Sequence, residues 1–335
     1  MTFTFYTGSY ALENEPGICL FRLDAEKQSL ERLEGFFGIH HPSYLCLDRG
    51  HSMLYAVQEQ VPEGMVHGLS VTEAGLELHS SLPSGGADPC HLSMSGGGLC
   101  VANYTSGSLA VCELGEDGGL KRRSSFSLHE GKGTNPLRQE CAHVHFSKEH
   151  EGLLYVTDLG LDRVFVYRET DGSLQDTGVR LALPAGYGPR HLEFDPGRPE
   201  MVYVLCELAG KVVVFKKEEK NYVLVQEADI LPSGFKGDNI SAAVKRSGNL
   251  LFASNRGHDS IAVFRIQADG TLTPTGIFPS GGRTPRDFEI FGDFLVAANQ
   301  DSDSLTVSKL DRRRGSLSLT DLGAGLVRPC CICRS

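Results

Sequence analysis

Arg190 and His191 stand at the joint between a Gly-x-Gly-Pro turn and an alternating segment, in "GYGPRHLEFDP" (Gly186 to Pro196). A guanidinium binds anions through a planar fork of donors, and an imidazole moves protons near neutral pH. Residues of the same kinds recur along the chain. His91 lies in "DPCHLSM", His143 and His145 in "CAHVHFS", Glu207 in "VLCEL", Arg256 in "ASNRGHDS" and Arg286 in "TPRDFEI". A carboxylate, imidazoles and several guanidiniums are the parts needed for general acid–base chemistry on an anionic substrate, provided the fold gathers them.

A repeat can do the gathering. "HPSYLCLDRG" (from His41), "DPCHLSMSGG" (from Asp88), "GPRHLEFDPG" (from Gly188) and "TPRDFEIFGD" (from Thr284) each read as Pro, two variable residues, then apolar–x–apolar. Pro42, Pro89, Pro189 and Pro285 are separated by 47, 100 and 96 residues, which are one, two and two units of about 48. Two degenerate copies, "CAHVHFSKEH" (from Cys141) and "NISAAVKRSG" (from Asn239), fill the gaps. Aligned this way, the residue two after the proline is Tyr44, His91, His143, His191, Ser241 and Asp287. The residue one after is Ser43, Cys90, Ala142, Arg190, Ile240 and Arg286. A purely structural slot would carry small or apolar residues in every copy, whereas these slots collect polar and charged ones.

Each copy is followed by an apolar run, a polar turn and a second apolar run, the pattern of a β-hairpin. The polar residue before the turn is Glu59, Asn103, Asp158, Glu207, Asn255 and Asn299, at spacings of 44, 55, 49, 48 and 44. Asp158 reads as a cap for the amides of its own turn. The N-terminal "FTFYTGSY" supplies a partial seventh hairpin, and its missing strand is expected around Leu317 to Leu322. Six copies and one split copy, each of about four short strands, predict an all-β fold. It is a seven-bladed β-propeller of four-stranded antiparallel blades, one domain over residues 1–335, closed by pairing the N- and C-terminal strands. Residues 326–335 read as a tail outside the repeat. The absence of tryptophan excludes the WD-type repeat.

Composition narrows the partners. The formal net charge is −10 and the pI is near 5.6, which argues against nucleic acid and anionic membranes. A small anion remains acceptable where arginines gather locally. The N-terminus lacks a basic region followed by an apolar run, so a cytoplasmic protein is expected, as a monomer or homodimer. The ten cysteines are scattered through strand-like runs, as free thiols in a reducing compartment would be. The lone C-x-x-C of the tail, Cys330 to Cys333, has no second ligand pair and is not expected to hold a metal. A serine-nucleophile elbow, an H-E-x-x-H motif, a Walker loop and a dinucleotide fingerprint are all missing.

The strings "YTGSY", "GADPCHL", "VANYTSGSLAV", "AHVHFS", "VTDLGLDRVFVY", "GYGPRHLEFDP", "YVLCEL" and "SNRGHDSIAVF" resemble the seven-bladed propeller lactonase family, over Tyr6 to about Leu317. Its members include a bacterial class of 6-phosphogluconolactonase and the fungal 3-carboxy-cis,cis-muconate lactonizing enzyme. The resemblance implies hydrolysis of 6-phosphogluconolactone in the oxidative pentose phosphate pathway, without metal or cofactor, and a site of His143, Arg190, Glu207 and Arg256. Arg286, in the slot equivalent to Arg190, is added for the anionic group, with His91, His145 and His191 as further substrate contacts. Glu207 would activate water and His143 would protonate the leaving oxygen, or the two roles would be exchanged. A cycloisomerase acting on a muconate-like dicarboxylate, a hydrolase of another sugar lactone and a non-enzymatic binding platform are the alternatives. A cation held by the Glu, Asn and Asp of the pre-turn slots is conceivable, but those residues read better as turn caps.

Overall fold

The computed structural model describes every residue of the chain except 49, 51, 171 and 172. The described residues form seven four-stranded antiparallel sheets. Blades 2 to 7 run in chain order, each from an inner strand outward. Their inner strands are Leu45–Asp48, Pro89–Ser95, Val144–His150, Pro189–Asp195, Ile240–Ser247 and Pro285–Phe291. The sole helical element among the described residues is a 3-10 turn, Gln300–Ser302.

Blade 1 is the split one. Its inner strand is Pro329–Arg334, hydrogen-bonded to Thr2–Ser9, with Ile18–Asp24 and Ser29–Phe36 outside. The closing strand is therefore not Leu317 to Leu322. Those residues lie in the outermost strand of blade 7, Ser316–Gly325. The tail assigned above to a position outside the repeat is the seventh copy of the proline motif: Pro329, Cys330, Cys331, then the apolar Ile332. Its cysteines disguise it, because they stand where other copies carry arginine or histidine.

A sheet buried on both faces needs apolar side chains on both sides of its strands. The second strands meet this: Leu154–Asp158 and Met201–Cys206 are buried residue after residue. Seven apolar clusters result, one in each gap between neighbouring blades. Tyr203, Leu205 and Val214 meet Leu251 and Phe264 between blades 5 and 6. Phe5 and Phe21 meet Phe291 and Val296 between blades 7 and 1. No blade can satisfy its faces alone, so ring closure completes the core. All ten cysteines are free thiols, seven of them buried.

Ile332, 3% exposed in the cluster of blades 7 and 1, tests the closing strand. Ile332→Ala is expected to cost about 2–5 kcal/mol in urea unfolding. Leu319→Ala, at a side chain 47% exposed on the outer strand, should stay within about 0.5 kcal/mol.

Candidate active site

The inner strands begin, and the second strands end, at the same mouth of the central channel. Just past each second strand, one backbone N–H donates to the carbonyl just before the inner strand. The pairs are Tyr10 to Arg328, Glu59 to His41, Tyr104 to Asp88, Leu159 to His143, Glu207 to Gly188 and Gln300 to Thr284. Arg256 pairs with Ile240 in the same place. These residues are equivalent, so Glu59 and Glu207 lie one position beyond Asn103, Asp158, Asn255 and Asn299, not in register with them. Alternation along a strand then separates their environments. Asn103 and Asn255 spend their amides on the hairpins, donating to Ser84 O and Ile230 O. Asp158 accepts the amides of His143 and Leu161, as a turn cap does.

The register also corrects the two degenerate copies. Val144 pairs with Asp158 and Ser241 with Asn255, as Pro89 pairs with Asn103 and Pro285 with Asn299. Val144 and Ser241 thus occupy the proline slot. The slot one further on is Ser43, Cys90, His145, Arg190, Ala242, Arg286 and Cys330, and His143 sits before its strand instead of inside it. With no proline to mark these copies, the sequence alignment slipped by three residues in the first and two in the second.

Glu207 is the centre of the site. Its carboxylate accepts from Arg138 Nη2 at 2.5 Å and Arg256 Nη2 at 2.7 Å, and Arg190 Nε is 3.0 Å away. Burial alone would raise this carboxyl; Arg256, Arg190 and Arg138, in that order, outweigh it and hold the group at about 2. Arg256 also donates to Ser241 O, and Arg190 to Ala242 O. Arg256 Nε, fully buried, has no hydrogen-bond partner among the described residues. The glycine after Arg256 has φ +115, and a Cβ there would collide with the carbonyl of Asp238, so the turn that aims Arg256 requires Gly257.

A second acid lies in the equivalent slot of blade 2. Glu59 accepts from Tyr10 Oη at 3.0 and 2.9 Å and from Ser43 Oγ. Arg286 Nη2 donates to Tyr10 Oη at 2.7 Å. Burial raises the Glu59 carboxyl above its ordinary range, against the pull of Arg286. Arg138, Arg190, Arg256 and Arg286 thus gather about the buried carboxylates Glu207 and Glu59. A cavity of ≈ 430 Å³ opens there, lined by Arg256 and Arg286, by Asp238 and Asp301, and by Asn239 and Gln300 among others.

The structure brings Arg190, Glu207 and Arg256 together, and Arg190 lines a small void with Arg286 and Glu59. His143 stands at the same mouth behind Tyr104, ring on ring at 4.3 Å. Its Nδ1 lies 3.1 Å from Tyr104 O and its Nε2 3.2 Å from Glu140 Oε1, both of them acceptors. His145 fills the slot of Arg190 and Arg286, and His91 and His191 lie one residue further along the inner strands. His91 and His191 continue a wall of packed rings with Tyr44 and Phe146. Burial first, then Arg190, depresses the proton affinity of all three, so they are neutral near pH 7. Arg138, Tyr104, Tyr10 and Glu59 were not expected in the site. Arg138 rides on the loop 129–143, outside the repeat. Gln139 anchors that loop by donating to Leu159 O and Asp162 Oδ1 at 2.8 Å each. The one signal for it was the 55-residue spacing between Asn103 and Asp158, longer than its neighbours by a loop.

The family profile described as "Lactonase, 7-bladed beta-propeller" matches residues 4–333. The chain belongs to the seven-bladed β-propeller lactonase family. A 6-phosphogluconolactonase of Bacillus subtilis is 32% identical, covering 98% of this chain and 97% of its own. The periplasmic gluconolactonase of Pseudomonas aeruginosa superposes with a TM-score of 0.92 at 28% identity, over 100% of this chain and 99% of its own. A Lactobacillus plantarum protein superposes with a TM-score of 0.94 at 27% identity, over both whole chains. The chain is accordingly a 6-phosphogluconolactonase-like enzyme. Among its described residues no helix is long and apolar enough to cross a membrane.

Glu207→Gln leaves three arginines beside a neutral amide, and about 3–5 kcal/mol of destabilisation is expected in urea at pH 7. The depressed carboxyl stabilises the fold above its ordinary titration range and stops doing so as pH falls through about 2. The difference between wild type and variant should therefore be full above about pH 5 and shrink toward pH 2. A pH-independent difference would contradict the ion cluster.

Proposed function

We propose that this enzyme hydrolyses a phosphorylated sugar lactone, 6-phosphogluconolactone, to its open acid, without a metal in the chemistry. The observation that carries the reading is the buried cluster at the mouth, where Arg138, Arg190, Arg256 and Arg286 gather about Glu207 and Glu59, beside a cavity of ≈ 430 Å³. That volume lies in the range of small-molecule sites. The names of the relatives point to the same substrate class.

Three tasks follow from the chemistry: deprotonate water, stabilise the tetrahedral oxyanion, and protonate the ring oxygen as it leaves. A carboxylate held at about 2 has little affinity for a proton. Glu207 is then a poor base and no acid at neutral pH, and its work is to hold Arg138, Arg190 and Arg256 in one cluster. Proton transfer falls to His143. In the tautomer whose Nδ1–H donates to Tyr104 O, Nε2 carries the lone pair. Nε2 takes the proton from water and returns it to the leaving oxygen. Arg256, with its Nε unpartnered, and Arg190 face the developing oxyanion, and Arg286 takes the phosphate. The ten free thiols fit a reducing, cytoplasmic setting.

The deciding assay is hydrolysis of freshly generated 6-phosphogluconolactone above its spontaneous background, with a chelator present. Clear acceleration is expected; none would sink the substrate assignment. His143→Ala should lower kcat by on the order of 10²–10⁴, and Arg256→Ala by on the order of 10²–10³. Arg286→Ala should raise KM for the phosphorylated lactone more than for the unphosphorylated one, a difference read from parallel saturation curves.

A further inference from the structure

Among the described residues, one group of three metal-ligating side chains converges outside the arginine cluster: Glu140, Cys141 and His143, on the loop 129–143. Their ligand atoms all lie within 4.8 Å of one another. His143 Nε2 is 3.2 Å from Glu140 Oε1 and 3.7 Å from Cys141 Sγ. In tetrahedral zinc coordination, ligand bonds of about 2.0–2.3 Å set ligand–ligand edges of about 3.3 Å for nitrogen–oxygen and about 3.6 Å for nitrogen–sulfur. The two separations from Nε2 match those edges.

The surroundings agree. A metal-bound histidine commonly donates its other ring N–H to a backbone carbonyl or carboxylate, which fixes the tautomer and the ring. His143 Nδ1 meets Tyr104 O at 3.1 Å, and the ring is stacked on Tyr104. With Nδ1–H on Tyr104 O, Nε2 would offer its lone pair to an ion shared with the carboxylate and the sulfur. The loop is anchored by the buried Gln139. The ion has a route in, because Glu140 is exposed and Cys141 half-buried, while His143 is buried.

We propose that Glu140 Oε1, Cys141 Sγ and His143 Nε2 form a zinc site at the channel mouth, with the fourth position open to water, and that the bound ion inhibits the enzyme. A thiolate together with an imidazole favours zinc over hard cations. On binding, the Cys141 thiol gives up its proton to solvent and the thiolate takes its place on the metal. Inhibition follows because zinc occupies the Nε2 lone pair that serves as base. That half rests on the proposed role of His143, and the binding half does not.

The test uses the full-length protein and the metal alone. Cobalt(II), a spectroscopic stand-in for zinc, should produce a thiolate charge-transfer band in the near ultraviolet and visible bands of tetrahedral intensity; zinc should abolish both. Cys141→Ser should lose the charge-transfer band and weaken zinc binding, by calorimetry, by more than the about 10–100-fold typical of an outer-shell change. Glu140→Gln should weaken binding and keep the band. Cys141→Ser should hydrolyse lactone at the wild-type rate in chelator and resist micromolar zinc. A wild type without a thiolate band, or a Cys141→Ser protein binding zinc as wild type does, overturns the site. A metal-binding wild type that hydrolyses lactone equally well with and without zinc overturns the inhibition and leaves the lactonase reading standing. Absence of lactone hydrolysis alongside a normal cobalt spectrum overturns the lactonase reading instead.

Discussion

A carboxylate withdrawn from water must find its compensation in the protein, and Glu207 finds it in three arginines from three separate places in the chain: Arg138 on a loop, Arg190 on an inner strand, Arg256 at the end of a second strand. The compensation is mutual. Arg190 and Arg256 are buried, and burial lowers the proton affinity of each. Without the carboxylate their charges would repel across the mouth at close range. Such clusters contribute little net stability over an apolar core but are costly to break. What the cluster secures is geometry: cations locked in place before a substrate arrives. Preorganised charge of this kind requires no rearrangement at the moment of reaction.

The blades and the site differ in how far sequence exposes them. A unit of about 48 residues, marked by Pro42, Pro89, Pro189 and Pro285, is enough to count seven blades. Glu207, Arg190 and Arg256 stand out because charge is rare in strands that must be apolar on both faces. Features without a periodic marker are lost. Val144 and Ser241 replace the proline, so their copies slip in register. Pro329 opens a true copy, yet cysteines fill the slots that elsewhere hold arginine or histidine, and the alternating "LSLTDL" is the more strand-like string. Arg138 lies outside the repeat altogether. Its partnership with Glu207, 69 residues away, depends on the path of a loop. Glu59 was seen as a turn cap because a one-residue offset separates the wall of the channel from its mouth.

The loop 129–143 is where this chain departs most from plain repetition, and the departure is concentrated. Arg138, Glu140, Cys141 and His143 place a guanidinium, a carboxylate, a thiol and an imidazole within six residues. Arg138 turns inward to Glu207, while Glu140 faces solvent. Gln139 between them is fully buried, its amide spent on Leu159 O and Asp162. One side chain thereby fixes the phase of its neighbours, and the segment needs no regular secondary structure to place them.

The strand that closes the ring, Pro329–Arg334, meets a partner from the opposite end of the repeat, Thr2–Ser9. Cys330 offers its thiol to the carbonyls of Gly8 and Ser43, joining the first two blades, while Tyr10 ties Glu59 to Arg286 across the same seam. Thr7 pairs with Ile332, so closure joins strands that are very far apart in sequence. Until that pair forms, the channel is an open arc whose ends carry unpaired strand edges and the exposed apolar faces of Phe5 and Phe291. Pairing at such a separation must meet its loop-closure entropy before any contact rewards it, so the mouth is finished late in folding.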